Sequence, residues 1–546
     1  MRIQTPLREQ ALKTCRRLLS EINRDPATPT CGCFDRRYWA WKLVDFPEAT
    51  FQRNLAALAW LLDQPEASDE RAFLTLTIQS GLLYTASIQH RNGSFDQAYP
   101  YEASYGATAF LLPDLLDAYQ AIKESCADVH QMTIEAMLFR ASAFLNKHAE
   151  LHGTISNHLA GAALALCKAG VFFGRPEFTR KSGEILDFIL SKQSSEGWYI
   201  EYGGADPGYQ TLCMYYLAQL YQLVEDEKEK DKLRASLKAS LEFLQYFVHP
   251  DGTFGGEYGS RRTEVYYPGG IALLSAEFPA AAAMSARMRT SIEQGSTVTL
   301  ADVDMGNTAP LLNNTIKALA FEQPKDLPLL PCQQESIEKD FPAAGILLRG
   351  TPRYYCLIGV STGGITKIYD KKKARLVLDD CGLLGVTSRG AGISTQMAHE
   401  DQGFQAQANQ VELWGGFYPI KSSVPTPASF LLLRLMNLTV MRVGFLNELV
   451  KKLLVGLLIS GGGRLPLKRT RVLEFQADRV RIRDRIEKTG PIDLKQLTGG
   501  GKFCSIHMAS ARYFEPAHFT VQQFEELDVD ELNRSGILEI KKEVRF

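Results

Sequence analysis

Residues 1–320 are predicted to form one helix after another, because apolar residues recur three and four positions apart through this half of the chain. The pattern is clear in FQRNLAALAWLL, ATAFLLPDLLDAYQAI and TLCMYYLAQLYQLV. Glycine-rich loops separate the helices, and four of them look alike, beginning at Gly93, Gly153, Gly197 and Gly252. The intervals between these glycines are 60, 44 and 55 residues, each long enough for a helical hairpin. Stacked hairpins predict an incomplete α/α toroid whose similar loops lie on one rim.

The hydrophobic pattern changes after residue 320. Residues 321–335 contain closely spaced prolines and are predicted to be a linker. Residues 336–546 contain short segments in which apolar and polar residues alternate, such as ARLVLDD, QVELWGGF and RVLEFQADRVRIRDRI. Many strands with few helices predict an antiparallel β-sandwich. The sequence therefore indicates a multidomain protein, α then β, with a toroid at 1–320 and a sandwich at 336–546.

One segment of the second half does not fit the strand pattern. Residues 428–460 are strongly apolar, but Arg434, Arg442, Glu448, Lys451 and Lys452 interrupt the run, so it is a poor membrane span. Amphipathic helices are predicted here as an insertion in the sheet domain. They either pack on their own domain or lie in a membrane interface with their cations at the headgroups.

Composition and charge exclude some classes of function. The chain has 546 residues and a formal net charge of −1. This charge provides no long-range field for nucleic acid, so any recognition of an anion must be local. The ten cysteines are scattered, apart from Cys31 and Cys33, and are interpreted as reduced structural residues. The N-terminus has no apolar run of signal-peptide length, so a cytoplasmic location is expected, peripheral at the inner face of the membrane if residues 429–460 bind lipid.

The sequence contains no P-loop, no GxGxxG on a strand-to-helix turn and no HExxH. A GxSxG match, GVSTG around Ser361, runs from one predicted strand into another. A nucleophile elbow needs a strand followed by a helix, so a tight turn is predicted instead.

The pair Asn157 and His158 begins a predicted helix on one of the four similar loops. Asn157 suits an N-cap, which is one interpretation of the pair. The other is catalytic, because the neighbouring loop from Glu196 to Gln210 is crowded with phenols and carboxylates. An amide, an imidazole and a phenol together can abstract a proton beside a carboxylate. That loop carries the aromatic and acidic residues Trp198, Tyr199, Glu201, Tyr202, Asp206 and Tyr209.

Other loops supply candidates for binding an acidic sugar. Arg261 and Arg262 follow a glycine run, and a guanidinium suits a carboxylate or sulfate. His399 lies between a glycine-rich region and a strand and could reach the helical rim. The remaining predicted substrate-binding residues are Arg37, Trp39, Tyr101, Glu102 and Glu257.

The segments ISNHLAGAALALCKAGVFFGRPEF and EGWYIEYGGADPGYQTL resemble the helical domain of the heparinase II/III-like proteins. Asn157 and His158 match the start of that family's helix, and Glu201 and Tyr209 match its following loop. DFPAAGILLRG and RVLEFQADRVRIRDRI resemble strands of its β-sandwich, so the resemblance covers about residues 150–490. The chain departs from the family in lacking an HxHAD-like segment, for which His399 is the nearest substitute.

The resemblance implies a polysaccharide lyase that acts on a uronic-acid-containing polysaccharide. The C5 proton would be removed, and β-elimination would follow at the C4–O bond. Asn157, with His158 or an arginine, would neutralise the carboxylate, while Tyr209 would remove the proton or protonate the leaving oxygen. Tyr202 is the alternative phenol, and a histidine would take the other role. No metal or cofactor is required by this scheme, and the sequence does not indicate a structural divalent ion.

Three alternatives stay open at the level of sequence. If the proton returned to the opposite face of C5, the protein would be a uronyl C5-epimerase. A catalytically idle protein of exopolysaccharide biosynthesis at a membrane surface would fit the apolar insertion. A glycoside hydrolase would need two carboxylates across a cleft, and the acids that could supply them are Glu102, Glu201, Asp206 and Glu257.

Overall fold

The computed structural model describes residues 6–150, 153–396, 402–420, 426–442, 446–447, 449–450, 463–505, 511, 513, 521 and 524–546. Its helical half alternates between outer helices, which are amphipathic, and inner helices, which are buried over most of their surface. The outer helices are α1 (Leu7–Glu21), α4 (Arg71–Ser87), α6 (Asp128–Lys147), α8 (Pro176–Lys192), α10 (Glu227–Leu244) and α12 (Pro279–Gln294), and the short α2 (Arg36–Trp39) follows α1. The inner helices are α3 (Asn54–Leu62), α5 (Tyr105–Ile122), α7 (Ser156–Phe173), α9 (Pro207–Leu223), α11 (Pro268–Leu273) and α13 (Met305–Ala318).

Each inner helix packs against the next along the chain, and α13 packs against α3. The predicted α/α toroid is confirmed, and its circuit of inner helices is more nearly closed than the sequence indicates. Because every inner helix runs in the same direction, their N-termini meet at one end of the ring. The similar loops lead into these N-termini and form what we call the rim, namely the loops that begin at Gly93, Gly153, Gly197 and Gly252.

The rim loops share a backbone turn that explains their glycines. Gly93, Gly197 and Gly252 have φ values of 94°, 96° and 89°, a region that residues with a Cβ rarely adopt. A Cβ would also lie 2.1 Å from the Arg140 carbonyl oxygen at Gly93 and 2.1 Å from that of Ala239 at Gly197. Gly93 and Gly197 therefore let their loops pack directly on the backbone of an outer helix, while Gly252 packs on the side chains of Ser291 and Ser296.

The second half of the chain forms three five-stranded sheets in which all the neighbouring strands are antiparallel. The first has the order β1-β2-β3-β4-β5, the second β10-β7-β6-β13-β14 and the third β15-β12-β11-β9-β8. The strands are β1 (Ile337–Phe341), β2 (Ile346–Gly350), β3 (Tyr354–Gly359), β4 (Ile365–Asp370), β5 (Arg375–Asp380), β6 (Leu383–Thr387), β7 (Gly392–Ser394), β8 (Gly403–Gln407), β9 (Gln410–Gly416), β10 (Tyr418–Pro419), β11 (Leu467–Gln476), β12 (Arg479–Lys488), β13 (Leu494–Gly499), β14 (Glu525–Glu526) and β15 (Ile537–Arg545).

The first sheet is buried on both faces. On β3, Tyr355 and Leu357 belong to the core shared with the helices, while Cys356 and Ile358 belong to a second core shared with the third sheet. Side chains on a strand point alternately to opposite faces, so a strand that is buried on both sides contains an unbroken apolar run. The first sheet thus joins the toroid to the rest of the strands.

The remaining predictions about elements have mixed outcomes. GVSTG forms a short turn between β3 and β4, as predicted. All ten cysteines are free thiols. The insertion begins with the helix α14 (Pro427–Leu438), and most of residues 443–462 lie outside the described part of the chain. Within the described residues, no helix is both long enough and apolar enough to cross a membrane.

Candidate active site on the toroid rim

Asn157 lies in the first turn of α7, with its side chain directed at the next rim loop. Its backbone N–H donates to Glu201 Oε1 at 2.9 Å, and its Nδ2 donates to Glu201 Oε2 at 2.8 Å. The N-cap residue of α7 is Ile155, whose side chain makes no capping hydrogen bond, and Asn157 lies two positions further on. The structure therefore does not support the interpretation of Asn157 as a simple N-cap. The Asn157 carbonyl oxygen, Oδ1, is buried and has no hydrogen-bond partner within the described residues.

Glu201 is fully buried beneath this amide. Burial raises its pKa to about 8, and the nearby Asp206 acts in the same direction. The hydrogen bonds from Asn157 and the charge of Arg261 oppose this shift without cancelling it. Near neutral pH the carboxyl group is therefore mostly protonated and can donate as well as accept a hydrogen bond.

His158 is half-buried between α7 and α5. Its Nδ1 lies 2.7 Å from Glu150 Oε2, and its ring packs edge-on against Phe110. A Cβ at Gly106 would lie 2.7 Å from this imidazole, so the glycine makes room for it. When Nδ1 carries the proton towards Glu150, Nε2 is left as an acceptor. The pair has the arrangement of a base oriented by a carboxylate.

Tyr202, Tyr209 and Arg261 come together beside Glu201. The Arg261 guanidinium carbon lies 3.4 Å from the centre of the Tyr202 ring and 5.9 Å from that of Tyr209. Tyr202 has a φ of 53°, and burial raises the pKa of its phenol to about 12 against the opposing charge of Arg261. Within the described residues, Arg261 forms no ion pair, and its buried Nε has no hydrogen-bond partner. A cation held this way is available to an anionic ligand.

Asp206 fixes the positions of these groups. Its Oδ1 accepts from the backbone N–H of Tyr209 at 3.0 Å, capping α9, and its Oδ2 accepts from the backbone N–H of Arg261 at 2.8 Å. The buried carboxylate of Asp206 therefore holds the backbone in place both at the start of α9 and at Arg261. Burial raises the pKa of Asp206, and the three N–H groups that face it oppose the shift.

Glu257 lies in a buried charge cluster between the rim and the first sheet. Lys367 Nζ is 2.6 Å from Glu257 Oε2 and 3.4 Å from Asp379 Oδ2, and Lys502 Nζ is 3.3 Å from Glu257 Oε1. Burial alone would raise the pKa of Glu257, but the two ammonium groups hold it well below its usual range. Glu257, Asp379 and Cys381 are close enough to share a metal ion. The Lys367 ammonium already neutralises this group, so the residues do not fit a metal site.

Several predicted binding residues are held by the protein itself. Arg262 is buried and donates to the carbonyl oxygens of Glu257, Gly259 and Gln396. Trp198 Nε1 donates to Glu196, whose carboxylate accepts the backbone N–H groups of Ala343 and Ala344 in the turn between β1 and β2. These contacts join the two halves of the chain, and a contact of Arg262 or Trp198 with substrate stays a prediction.

The other predicted residues lie further along the rim or outside it. Glu102 accepts two backbone N–H groups of its own loop, and Tyr101, with φ 62°, lies under the guanidinium of Arg442. Arg37 is paired with Asp35 and Glu48, and Trp39 Nε1 donates to the carbonyl oxygen of Glu21. His399 lies outside the described residues, so its predicted role is untested.

Sequence reasoning missed two residues of the site. Glu150 was overlooked because it precedes the glycine that marks its loop, and only the three-dimensional turn brings it to His158. Tyr513 donates its backbone N–H to Glu264 at 3.0 Å, and its phenol pKa is raised by burial and by the nearby Asp304 and Tyr209. It comes from the far end of the sheet domain, and no local pattern connects it with the rim.

The carboxylates that a glycoside hydrolase would need are all engaged. Glu102 and Asp206 accept backbone N–H groups, Glu201 binds Asn157, and Glu257 binds two lysines. A pair of free carboxylates facing each other across a cleft is not formed by these four acids. The amide, the imidazole, the phenols and a guanidinium that forms no ion pair within the described residues are groups of the kinds that transfer protons and stabilise developing negative charge.

Comparisons with known proteins agree with this architecture. Residues 64–272 match the family model described as the Ulvan lyase N-terminal domain. No curated protein sequence matches the chain. The structure is similar to that of chondroitin AC lyase from Streptomyces coelicolor A3 in complex with chondroitin sulphate, with a TM-score of 0.55 and 12% identity over 89% of this chain and 67% of that chain. Heparinase III aligns with a TM-score of 0.48 and 11% identity over 82% of this chain and 63% of that one.

The family match covers most of the rim, including the loops that begin at Gly93, Gly153, Gly197 and Gly252. At 12% identity the structural likeness shows the fold alone. That fold is a helical toroid followed by antiparallel sheets, and the chain shares it with the chondroitin AC lyase. The resemblance inferred from the sequence is therefore confirmed for the fold.

Proposed function

We propose that this protein is a polysaccharide lyase that cleaves a uronic-acid-containing polysaccharide by β-elimination. The observation that carries the proposal is Arg261, a cation that has no ion pair within the described residues and is stacked on Tyr202, with its guanidinium 5.9 Å from the Tyr209 ring. A guanidinium binds a carboxylate through two parallel hydrogen bonds. A uronate held there would bring its C5 atom, which bears the carboxylate, close to the phenol.

Neutralising the carboxylate is the first requirement, because the C5 proton is only weakly acidic. Arg261 and the amide of Asn157 supply a positive charge and a dipole where negative charge develops on the carboxylate. The protonated Glu201 contributes a further donor. It can donate to Asn157 Oδ1 after the amide turns over, which would release Nδ2 towards the sugar.

His158 and Tyr209 then carry out one proton transfer each. His158 Nε2, with Nδ1 held by Glu150, accepts the C5 proton. The electrons of the C–H bond form the C4–C5 double bond as the C4–O bond breaks. The Tyr209 phenol gives its proton to the leaving oxygen, and the proton on His158 returns to the phenolate through solvent. No metal ion or other co-reactant is needed to balance this step.

Tyr209→Phe tests the proposal. The variant keeps the ring beside Arg261 and removes only the hydroxyl. We expect turnover to fall by a factor of roughly 10² to 10⁴, the usual contribution of a positioned acid or base. His158→Ala should have a comparable effect. The matched control is Tyr221→Phe, since that phenol binds Glu277 at the C-terminal end of α9, the end remote from the rim.

The readout is the ultraviolet absorbance of the unsaturated product, together with the thermal unfolding midpoint. Activity should be lost in both site variants while the midpoint stays near that of the wild type. Full activity in Tyr209→Phe and His158→Ala would overturn the assignment of these residues.

A further inference from the structure

The insertion helix α14 presents an apolar face away from the protein. Leu431, Leu432, Leu435 and Leu438 fall within roughly a third of the helix circumference, at about 100° per residue. Their exposed fractions lie between 53% and 64%. Exposed large apolar residues are normally scattered one at a time, and a cluster of them marks an interaction surface.

The polar residues of α14 point the other way. Arg434 forms an ion pair with Asp45 at 2.7 Å and lies over the Phe46 ring, and Asn437 is buried. The cation that interrupts the apolar run therefore anchors the helix to the toroid. Arg434 therefore does not face lipid headgroups, which was one of the two alternatives for its segment. Its ion pair with Asp45 leaves the leucine side of α14 exposed.

Two further exposed apolar residues lie on the toroid, close in sequence to the anchor. Trp41 and Leu43, with exposed fractions of 67% and 78%, precede the anchor residue Asp45 by four and two positions. We call the residues Trp41, Leu43, Leu431, Leu432, Leu435 and Leu438 the insertion face.

The charges around the insertion face are unbalanced. Two acidic residues close to it in the sequence already form ion pairs, Asp45 with Arg434 and Glu48 with Arg37. Two cations that adjoin it in the sequence, Lys42 and Arg442, form no ion pair within the described residues. Arg442 lies over Tyr101, 4.8 Å from its ring centre, which places this positive charge on a rim loop. The α14 segment itself contains no Asp or Glu.

We propose that the insertion face docks on the surface of an anionic lipid bilayer. Leucines and a tryptophan would enter the headgroup region, and Lys42 and Arg442 would bind lipid phosphates. The arrangement is that of an interfacial anchor rather than a span, in agreement with the lengths of the described helices. Because Arg442 contacts Tyr101, the rim would lie beside the bilayer, where a polymer held at the membrane could reach it. The inference does not depend on the proposed reaction.

Vesicle co-sedimentation of the full chain tests the proposal. The vesicles are phosphatidylcholine alone and phosphatidylcholine mixed with phosphatidylglycerol. We expect the wild type to sediment with the anionic vesicles, and the bound fraction to fall as salt is added. The double variant Leu432→Ser, Leu435→Ser should bind at least about tenfold more weakly. The matched control is Met132→Ser with Val171→Ser, two exposed apolar residues elsewhere on the toroid, with exposed fractions of 71% and 73%.

Two results would overturn the proposal. The first is a wild type that sediments with neither vesicle, or a double variant that binds as well as the control. The second is self-association, seen by light scattering as a dimer in the wild type and a monomer in the double variant, without vesicle binding. The face would then be a contact between copies of this chain.

Discussion

Asn157 and Glu201 form the most closely coupled pair of the candidate site. Two hydrogen bonds join them, and both side chains are buried. The sequence could predict Asn157, Tyr209 and Arg261 because polar residues at helix starts and after glycine runs are visible in one dimension. The sequence could not predict that the side chain of Arg262, unlike that of Arg261, is buried. Its orientation depends on a backbone φ of 62° and on a hydrogen bond to the carbonyl oxygen of Gln396 in the second half of the chain.

Glu201→Gln is predicted to change how stability depends on pH. The folded state holds the Glu201 proton more tightly than the unfolded chain, where the pKa is near 4.5, because burial raises the folded pKa to about 8. The resulting stabilisation is complete below about pH 4.5 and is lost as pH rises through about 8. The free energy of unfolding of wild type relative to Glu201→Gln should therefore fall between these pH values. Urea unfolding at a series of pH values measures it, and parallel curves for the two proteins would contradict the raised pKa.

The rim loops owe their common shape to backbone geometry. Their helical hairpins are predictable from the spacing of the glycines, because each glycine serves the same turn.

The number of sheets is less predictable from the sequence than the number of hairpins. Strands β2 and β3 have apolar runs that indicate burial on both faces, but only the packed structure shows that helices cover one face and a third sheet the other.

Gly197→Ala should destabilise the toroid. Its φ is 96°, and the new Cβ would lie 2.1 Å from the Ala239 carbonyl oxygen. Backbone strain and overpacking together should lower the free energy of unfolding by about 3 kcal/mol. Gly203→Ala is the control, because Gly203 has a φ of 87° but no atom within 4 Å of the added Cβ. Gly203→Ala should lower the free energy of unfolding by only about 1 kcal/mol. Equal losses in denaturant unfolding would show that the contact with α10 does not constrain the loop.

The two halves of the molecule are joined by polar contacts as well as by apolar packing. Glu196 accepts backbone N–H groups of the turn between β1 and β2, and the buried Lys367 of β4 lies between Glu257 of the rim and Asp379 of β5. The sequence indicates both domains but not this connection, because ion pairs between residues more than a hundred positions apart leave no local pattern. The site consequently depends on the sheets although most of its residues come from the helices.

Lys367→Met is predicted to weaken this junction. It leaves Glu257 and Asp379 buried near each other without the cation between them, which typically costs about 3 to 5 kcal/mol. Lys373→Met, which removes an exposed lysine paired with Asp370, should cost less than about 1 kcal/mol. Thermal unfolding followed by circular dichroism compares the two. A midpoint for Lys367→Met equal to that of Lys373→Met would contradict the structural role of the buried lysine.

The most direct test of the whole account is the reaction itself. Wild-type protein is incubated in deuterated buffer with a panel of uronate polymers, both sulfated and unsulfated, and ultraviolet absorbance and deuterium at C5 are followed together. The account predicts, for at least one polymer, rising absorbance from a C4–C5 double bond and shorter chains. Deuterium at C5 without absorbance would identify an epimerase instead. No change in any polymer, from a folded protein, would contradict the assignment as a lyase.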